Sequence, residues 1–132
     1  NAVSGTLSYP KDELSFVSFS KDDSLIQQWL PPGATGPAIS KTAGTIHFEG
    51  VLIGGYKGAP KTVFTVNFKV KKTGTAKFTF QNGTVLANDG KGTDLTQSLK
   101  SANYKLAAVT PDVVGKISKN KSKSKSPNKR NF

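Results

Sequence analysis

This 132-residue chain reads as an all-β fold, two antiparallel sheets packed as a sandwich with jelly-roll topology. Three observations predict it. Apolar side chains recur at every second position in one segment after another, the period of a strand with one buried face. Thirteen glycines and seven prolines punctuate those segments as turn formers. No stretch sustains a helical apolar stripe; Leu25, Ile26, Trp29 and Leu30 make at most one turn or an irregular strand. Strands that are apolar on one face need a second sheet to cover them, which leads to a sandwich.

In residues 2–9, Val3, Gly5, Leu7 and Tyr9 share one face and Ser4, Thr6 and Ser8 the other. Pro10 then opens a turn, and residues 14–19 resume extended structure with Leu14 and Phe16 inward. Residues 44–50 place Ile46 and Phe48 inward and Thr45, His47 and Glu49 outward. Residues 62–70 are the clearest strand, with Phe64, Val66, Phe68 and Val70 alternating against Val63, Thr65, Asn67 and Lys69. After Lys71, Lys72, Thr73 and Gly74, residues 75–80 return with Ala76, Phe78 and Phe80 inward, and the two runs read as a hairpin. A short strand at 84–86 and a last one at 102–106, with Ala102, Tyr104 and Leu106 inward, complete the set. Loops are expected at 30–42, 54–60 and 87–94. The expected core is Leu7, Phe16, Phe48, Phe64, Val66, Phe68, Phe78, Phe80 and Tyr104.

The length suits one domain with one core, assigned to residues 1–112. Residues 113–132 read as a Lys/Ser-rich disordered tail or linker, too poor in apolar surface to offset chain entropy. Of the 19 basic residues, seven lie in residues 116–132, which hold no acid. The net charge of +11 thus belongs mainly to the tail, and the folded part is only mildly basic. The chain starts directly in a strand, which reads as a mature or truncated product. No apolar run approaches the ~20 residues of a membrane-spanning helix.

With no cysteine and one histidine, thiol catalysis, disulfides and Cys/His metal sites are excluded. No nucleophile–base pair stands out, so a catalytic role and a cofactor are not expected. Asp12, Glu13, His47 and Glu49 read as solvated turn or strand-face residues. Asp89 and Asp94 flank Lys91 in an Asn/Asp/Gly loop that lacks EF-hand spacing and reads as a plain turn, with calcium left open. The candidate ligand-binding residues are Trp29 and Tyr56, aromatics beside Gly/Pro loops that offer a platform for a sugar ring or a protein. Lys119, Lys121, Lys123, Lys125, Lys129 and Arg130 are candidates for contact with an anionic surface. Lysines interleaved with serine and without aromatics cannot read bases, so specific nucleic-acid recognition is not expected.

The order of these motifs resembles that of cohesin-like domains. Leu7-Ser8-Tyr9 followed by Leu14-Ser15-Phe16 is similar to the family's Leu-x-Tyr strand, turn and Leu-x-Phe/Val strand. Gly44-Thr45-Ile46-His47-Phe48, Gly54-Gly55-Tyr56, the run from Phe64 to Val70, and Lys72-Thr73-Gly74-Thr75 follow in the family's order, and Val85 to Gly90 looks like its late loop. The likeness covers roughly residues 2–107. Pro10 stands where cellulosomal cohesins commonly have Asp, and the family's first two strands have no counterpart here. The resemblance implies an extracellular or cell-surface, non-catalytic module that docks a dockerin-like or other protein partner. Two alternatives stand beside it: a carbohydrate-binding module for polysaccharide, and a structural subunit joined by strand exchange. Without the opening strands, one sheet edge should be open and should be filled by upstream residues, a neighbouring copy or a separate peptide.

Overall fold

The computed structural model describes residues 1–107 and 129–131. The strands are β1 (Ala2–Ser8), β2 (Leu14–Ser20), β3 (Gln28–Trp29), β4 (Ala38–Ser40), β5 (Thr45–Val51), β6 (Thr65–Val70), β7 (Gly74–Leu86), β8 (Ala102–Leu106) and β9 (Lys129–Asn131). Among the described residues there is no helix. The larger sheet runs β3-β5-β1-β7-β8, with β4 beside the other half of β5; the smaller runs β2-β6-β9. All pairings are antiparallel. This is the predicted two-sheet sandwich.

Alternation decides which face each strand buries. Leu7, Ile46, Ala76, Phe78 and Leu106 of the large sheet meet Leu14, Val66 and Phe68 of the small one, together with Phe64 just ahead of β6, all essentially solvent-free. Phe68 is the hub, its ring centroid 5.1 Å from Tyr9, 5.5 Å from Phe78 and 6.4 Å from Phe16. Phe64 meets Phe48 at 5.4 Å and Trp29 at 6.4 Å. Of the expected core, Phe16, Phe80 and Tyr104 are only partly buried, while Ile26 and Trp29 join the core from a stretch without strand periodicity.

Four expectations change. The runs at 62–70 and 75–80 do not form a hairpin: β6 lies in the small sheet and β7 in the large one. Lys71, Lys72 and Thr73 carry the chain across the sandwich, so the two apolar faces meet each other, as Phe68 on Phe78 shows. Sequence neighbours whose faces are both apolar gain more by facing than by pairing edge to edge. The segments at 75–80 and 84–86 are one strand, kept continuous by a register shift opposite Thr6/Leu7 that absorbs one residue of β7. The loop expected at 30–42 holds the short strand β4. In the tail, Lys129–Asn131 form β9 against Asn67, Val66 and Thr65. The rest of the predicted tail, with Lys119, Lys121, Lys123 and Lys125, lies outside the described residues.

β2 covers the β4–β5 side of the large sheet: a Cβ on Gly36 would sit 2.5 Å from the Phe19 ring, and the Lys41 ammonium stands 5.9 Å over Phe16. On the other side of β6 from β2, the chain's last described residues form a strand, and across the core Phe64 just ahead of β6 meets Phe48 of β5 and Phe68 meets Phe78 of β7. On that side β9 pairs with Thr65–Asn67, and among the described residues no strand pairs with Phe68–Val70. Among the described residues, Lys129–Asn131 of the chain itself take half of that edge of β6.

Candidate docking face

The outer face of the large sheet is the broadest feature outside the core. Register brings Ser4 beside Glu49 and Thr84, Thr6 beside His47 and Asn82, and Ser8 beside Thr45 and Thr79. Cross-strand hydrogen bonds tie these rows together. Ser4 Oγ and Thr84 Oγ1 are 2.9 Å apart, Thr6 Oγ1 and His47 Nδ1 are 2.9 Å apart, and the Gln81 amide donates to Ser8 Oγ at 2.7 Å. β8 adds Asn103 opposite Lys77 and Lys105 opposite Thr75. Pairs of this kind fix side-chain positions on a sheet surface. The result is a field of short hydroxyls and amides, acidic at Glu49 on the β5 side and basic at Lys77 and Lys105 on the β8 side.

Within it, Thr6, His47 and Glu49 form a line, His47 Nε2 standing 3.6 Å from Glu49 Oε2. A hydroxyl, an imidazole and a carboxylate in sequence resemble a nucleophile relay, which sequence reasoning missed. His47 and Glu49 are about half exposed, so water screens them. What such a face can do is present fixed donors and acceptors to a partner of matching shape.

The two aromatic candidates part company. Trp29 is 8% exposed and packs on Phe64, so it is a core side chain with no face for a ligand. Tyr56 is 48% exposed, but its hydroxyl donates to the Ala59 carbonyl and the Lys61 ammonium lies 5.9 Å from its ring. It lines a shallow cleft of about 110 Å³ with Ala2, Val3, Leu52, Val85 and Leu95, at the end of the sandwich away from the Pro10 turn. Lys129 and Arg130 sit in β9, opposite Asn67 and Val66.

The Asp89 loop is held from within. Asp89 accepts from the Thr93 hydroxyl and, at 2.8 Å, from the Lys91 N–H. Asp94 accepts from the Thr96 N–H at 2.8 Å. These hydrogen bonds hold both carboxyls below the ordinary aspartate range, the Thr93 bond leading for Asp89 and the Thr96 side chain for Asp94. Among the described residues no three metal-ligating side chains cluster. A lowered folded-state pKa means that the loop's stabilisation is present above the unfolded value and is lost as pH falls from about 4 through the folded value. We expect Asp89 to titrate below pH 3.8 by NMR and the Lys91 amide to exchange faster in Asp89→Asn at neutral pH. An Asp89 midpoint at the ordinary value would refute the arrangement.

No family model matches the sequence, and no curated protein matches it. Among solved structures, the sixth cohesin of Acetivibrio cellulolyticus scaffoldin B, in complex with a mutant Cel5 dockerin, matches with a TM-score of 0.54. The identity is 13%, over 77% of this chain and 74% of that one. The chain has a cohesin-like fold. At that identity the likeness extends to the course of the backbone, and the side chains of the cohesin-like sandwich are its own. The Leu-x-Tyr segment that carried the sequence resemblance is the central strand β1 and the turn after it, flanked by β5 and β7.

Proposed function

We propose that this cohesin-like domain is a non-catalytic, extracellular protein-docking module that takes a dockerin-like partner on the outer face of its large sheet. The hydrogen-bonded hydroxyl field of Ser4, Thr6, Ser8, His47 and Thr84 carries this reading. Its polar groups are held in place by cross-strand hydrogen bonds, so a partner meets little side-chain disorder on binding. The cohesin it resembles in fold was solved with a dockerin, which supports a partner of that kind. Among the described residues no helix is long and apolar enough to cross a membrane.

Thr6→Arg tests the reading, because Thr6 is at the centre of the face and its side chain is outward. A panel of dockerins is immobilised and probed with the wild type and the variant. Binding of the wild type to at least one dockerin, weakened about 100-fold in Thr6→Arg with an unchanged melting temperature, is the expected result, since an unpaired charge at an interface centre costs several kcal/mol. Equal binding by both would place the contact elsewhere.

Polysaccharide binding draws less support, because sugar rings stack on aromatic platforms, and of the two candidates Trp29 is buried and Tyr56 is engaged with its own loop. In this proposal Lys119, Lys121, Lys123 and Lys125 attract an anionic surface. Changing Lys119, Lys121, Lys123 and Lys125 to Gln should leave the melting temperature unchanged and flatten the salt dependence of binding to anionic vesicles. A drop of several degrees would mean that the segment packs on the domain.

A further inference from the structure

His47 is the one histidine of the chain, and register sets it between Thr6 of β1 and Ala38 of β4. Its ring nitrogens face different partners. Nδ1 is 2.9 Å from Thr6 Oγ1, and Nε2 is 3.6 Å from Glu49 Oε2. A carboxylate only accepts, so Glu49 draws the proton of a neutral imidazole to Nε2. Nδ1 is then an acceptor and takes the Thr6 hydroxyl proton, which leaves the Thr6 oxygen with lone pairs toward solvent. The strands that pair with β5 add no charge here: β1, β3 and β4 hold no acidic or basic side chain. With His47 neutral, Glu49 thus sets the sign of this part of the face, and Thr6 beside it offers only an acceptor.

On the proposal that this face docks a protein, we infer that the partner sets a lysine or arginine over Thr6 and Glu49, and that His47 makes this contact pH-dependent. A carboxylate and an outward lone pair both suit an N–H cation, whereas an acidic partner group would be repelled. One proton reverses both terms. An imidazolium has no acceptor, so Nδ1–H donates to Thr6 Oγ1 and the hydroxyl proton turns outward, toward a cation that cannot receive it. The same imidazolium, 3.6 Å from Glu49, offsets the carboxylate charge. Histidine changes charge between about pH 5 and 8, so the contact is made at the upper end of that range and lost toward the lower. The coupling is reciprocal: the bound partner lowers the proton affinity of His47 by the factor by which a proton lowers its affinity for the partner.

The probe is the dockerin panel, with Kd measured at about pH 8 and about pH 5.5 for the full chain and for His47→Gln. The quantity read is the ratio of the two Kd values within each protein, so a general loss of affinity in the variant drops out. Titration of the dockerin is common to both proteins. We expect the wild type to bind about tenfold more weakly at the lower pH, and His47→Gln to lose that tenfold. Glu49→Gln should weaken binding at about pH 8 by at least about threefold, because the partner's cation loses its counter-charge. Independently, the imidazole of the isotope-labelled chain is titrated by NMR, and its midpoint should fall by about one pH unit in the presence of saturating dockerin. This measurement decides the matter if His47→Gln does not bind. Equal ratios in the two proteins, or an unmoved midpoint, would overturn the inference and leave docking on this face standing. Tighter binding at the lower pH would overturn it as well, since the partner would then present an acid. No binding by any dockerin at either pH would refute the docking proposal itself, and this inference with it.

Discussion

Phe68→Ala is expected to lower the unfolding free energy by about 3–5 kcal/mol, read as a shift of the urea midpoint at constant slope. The magnitude follows from position. Phe68 is 2% exposed and joins both sheets through Tyr9, Phe16 and Phe78. Truncation removes the transfer free energy of the ring and leaves a cavity that rigid strands on either side cannot close. It also removes three aromatic contacts, which add about 0.5–1.5 kcal/mol each to simple burial. Small domains are stable by about 5–15 kcal/mol, so this change alone brings the sandwich near its threshold. Val17→Ala on β2 is the comparison, because Val17 is 59% exposed and its loss should stay within about 0.5 kcal/mol. Similar effects of the two substitutions would mean that β6 does not face β7 across the core.

Gly50→Ala should destabilise by about 1–3 kcal/mol, a large effect for one methyl group. Gly50 is on β5, paired with Val3 on one side and Trp29 on the other. A Cβ there would lie 2.3 Å from Ile26 Cγ2, a distance at which something has to move. Ile26 has little freedom to retreat. It is 5% exposed, its N–H donates to Ser24 Oγ at 3.0 Å, and the neighbouring Leu25 N–H donates to the Thr62 carbonyl at 2.8 Å. The strain therefore passes to the 24–27 loop and to β3, the short strand that brings Trp29 onto Phe64. Because the clash is with one side chain, Ile26→Ala should relieve it: the double variant is expected to be more stable than the sum of the single effects by at least about 1 kcal/mol. Additive effects would show that the intolerance at Gly50 has another origin.

Much of this protein was legible in its sequence because strand periodicity is local. Val3/Leu7, Ile46/Phe48, Val66/Phe68 and Ala76/Phe78 announce buried faces two residues at a time, without reference to any partner, and enough such segments imply two sheets. Which strands pair is a different matter, set by contacts between residues far apart in the chain. The hairpin grammar around Gly74 was present, but β6 and β7 face each other across the core because covering both apolar faces outweighs a short local ladder. Trp29 shows the same limit, since its loop-like surroundings gave no sign that Phe64, 35 positions away, would bury it. The polar rows of β1 were recognisable as an outward face, yet a docking surface arises only when register sets Thr6 beside His47 and Ser4 beside Thr84. The sequence by itself determined the fold class, the buried faces and the charge of the C-terminal residues, because these depend on composition and short spacing. The tertiary structure alone decided the sheet order, the hydroxyl field and the pairing of β9 with β6, because each is a relation between strands that the chain brings together only when it closes its core.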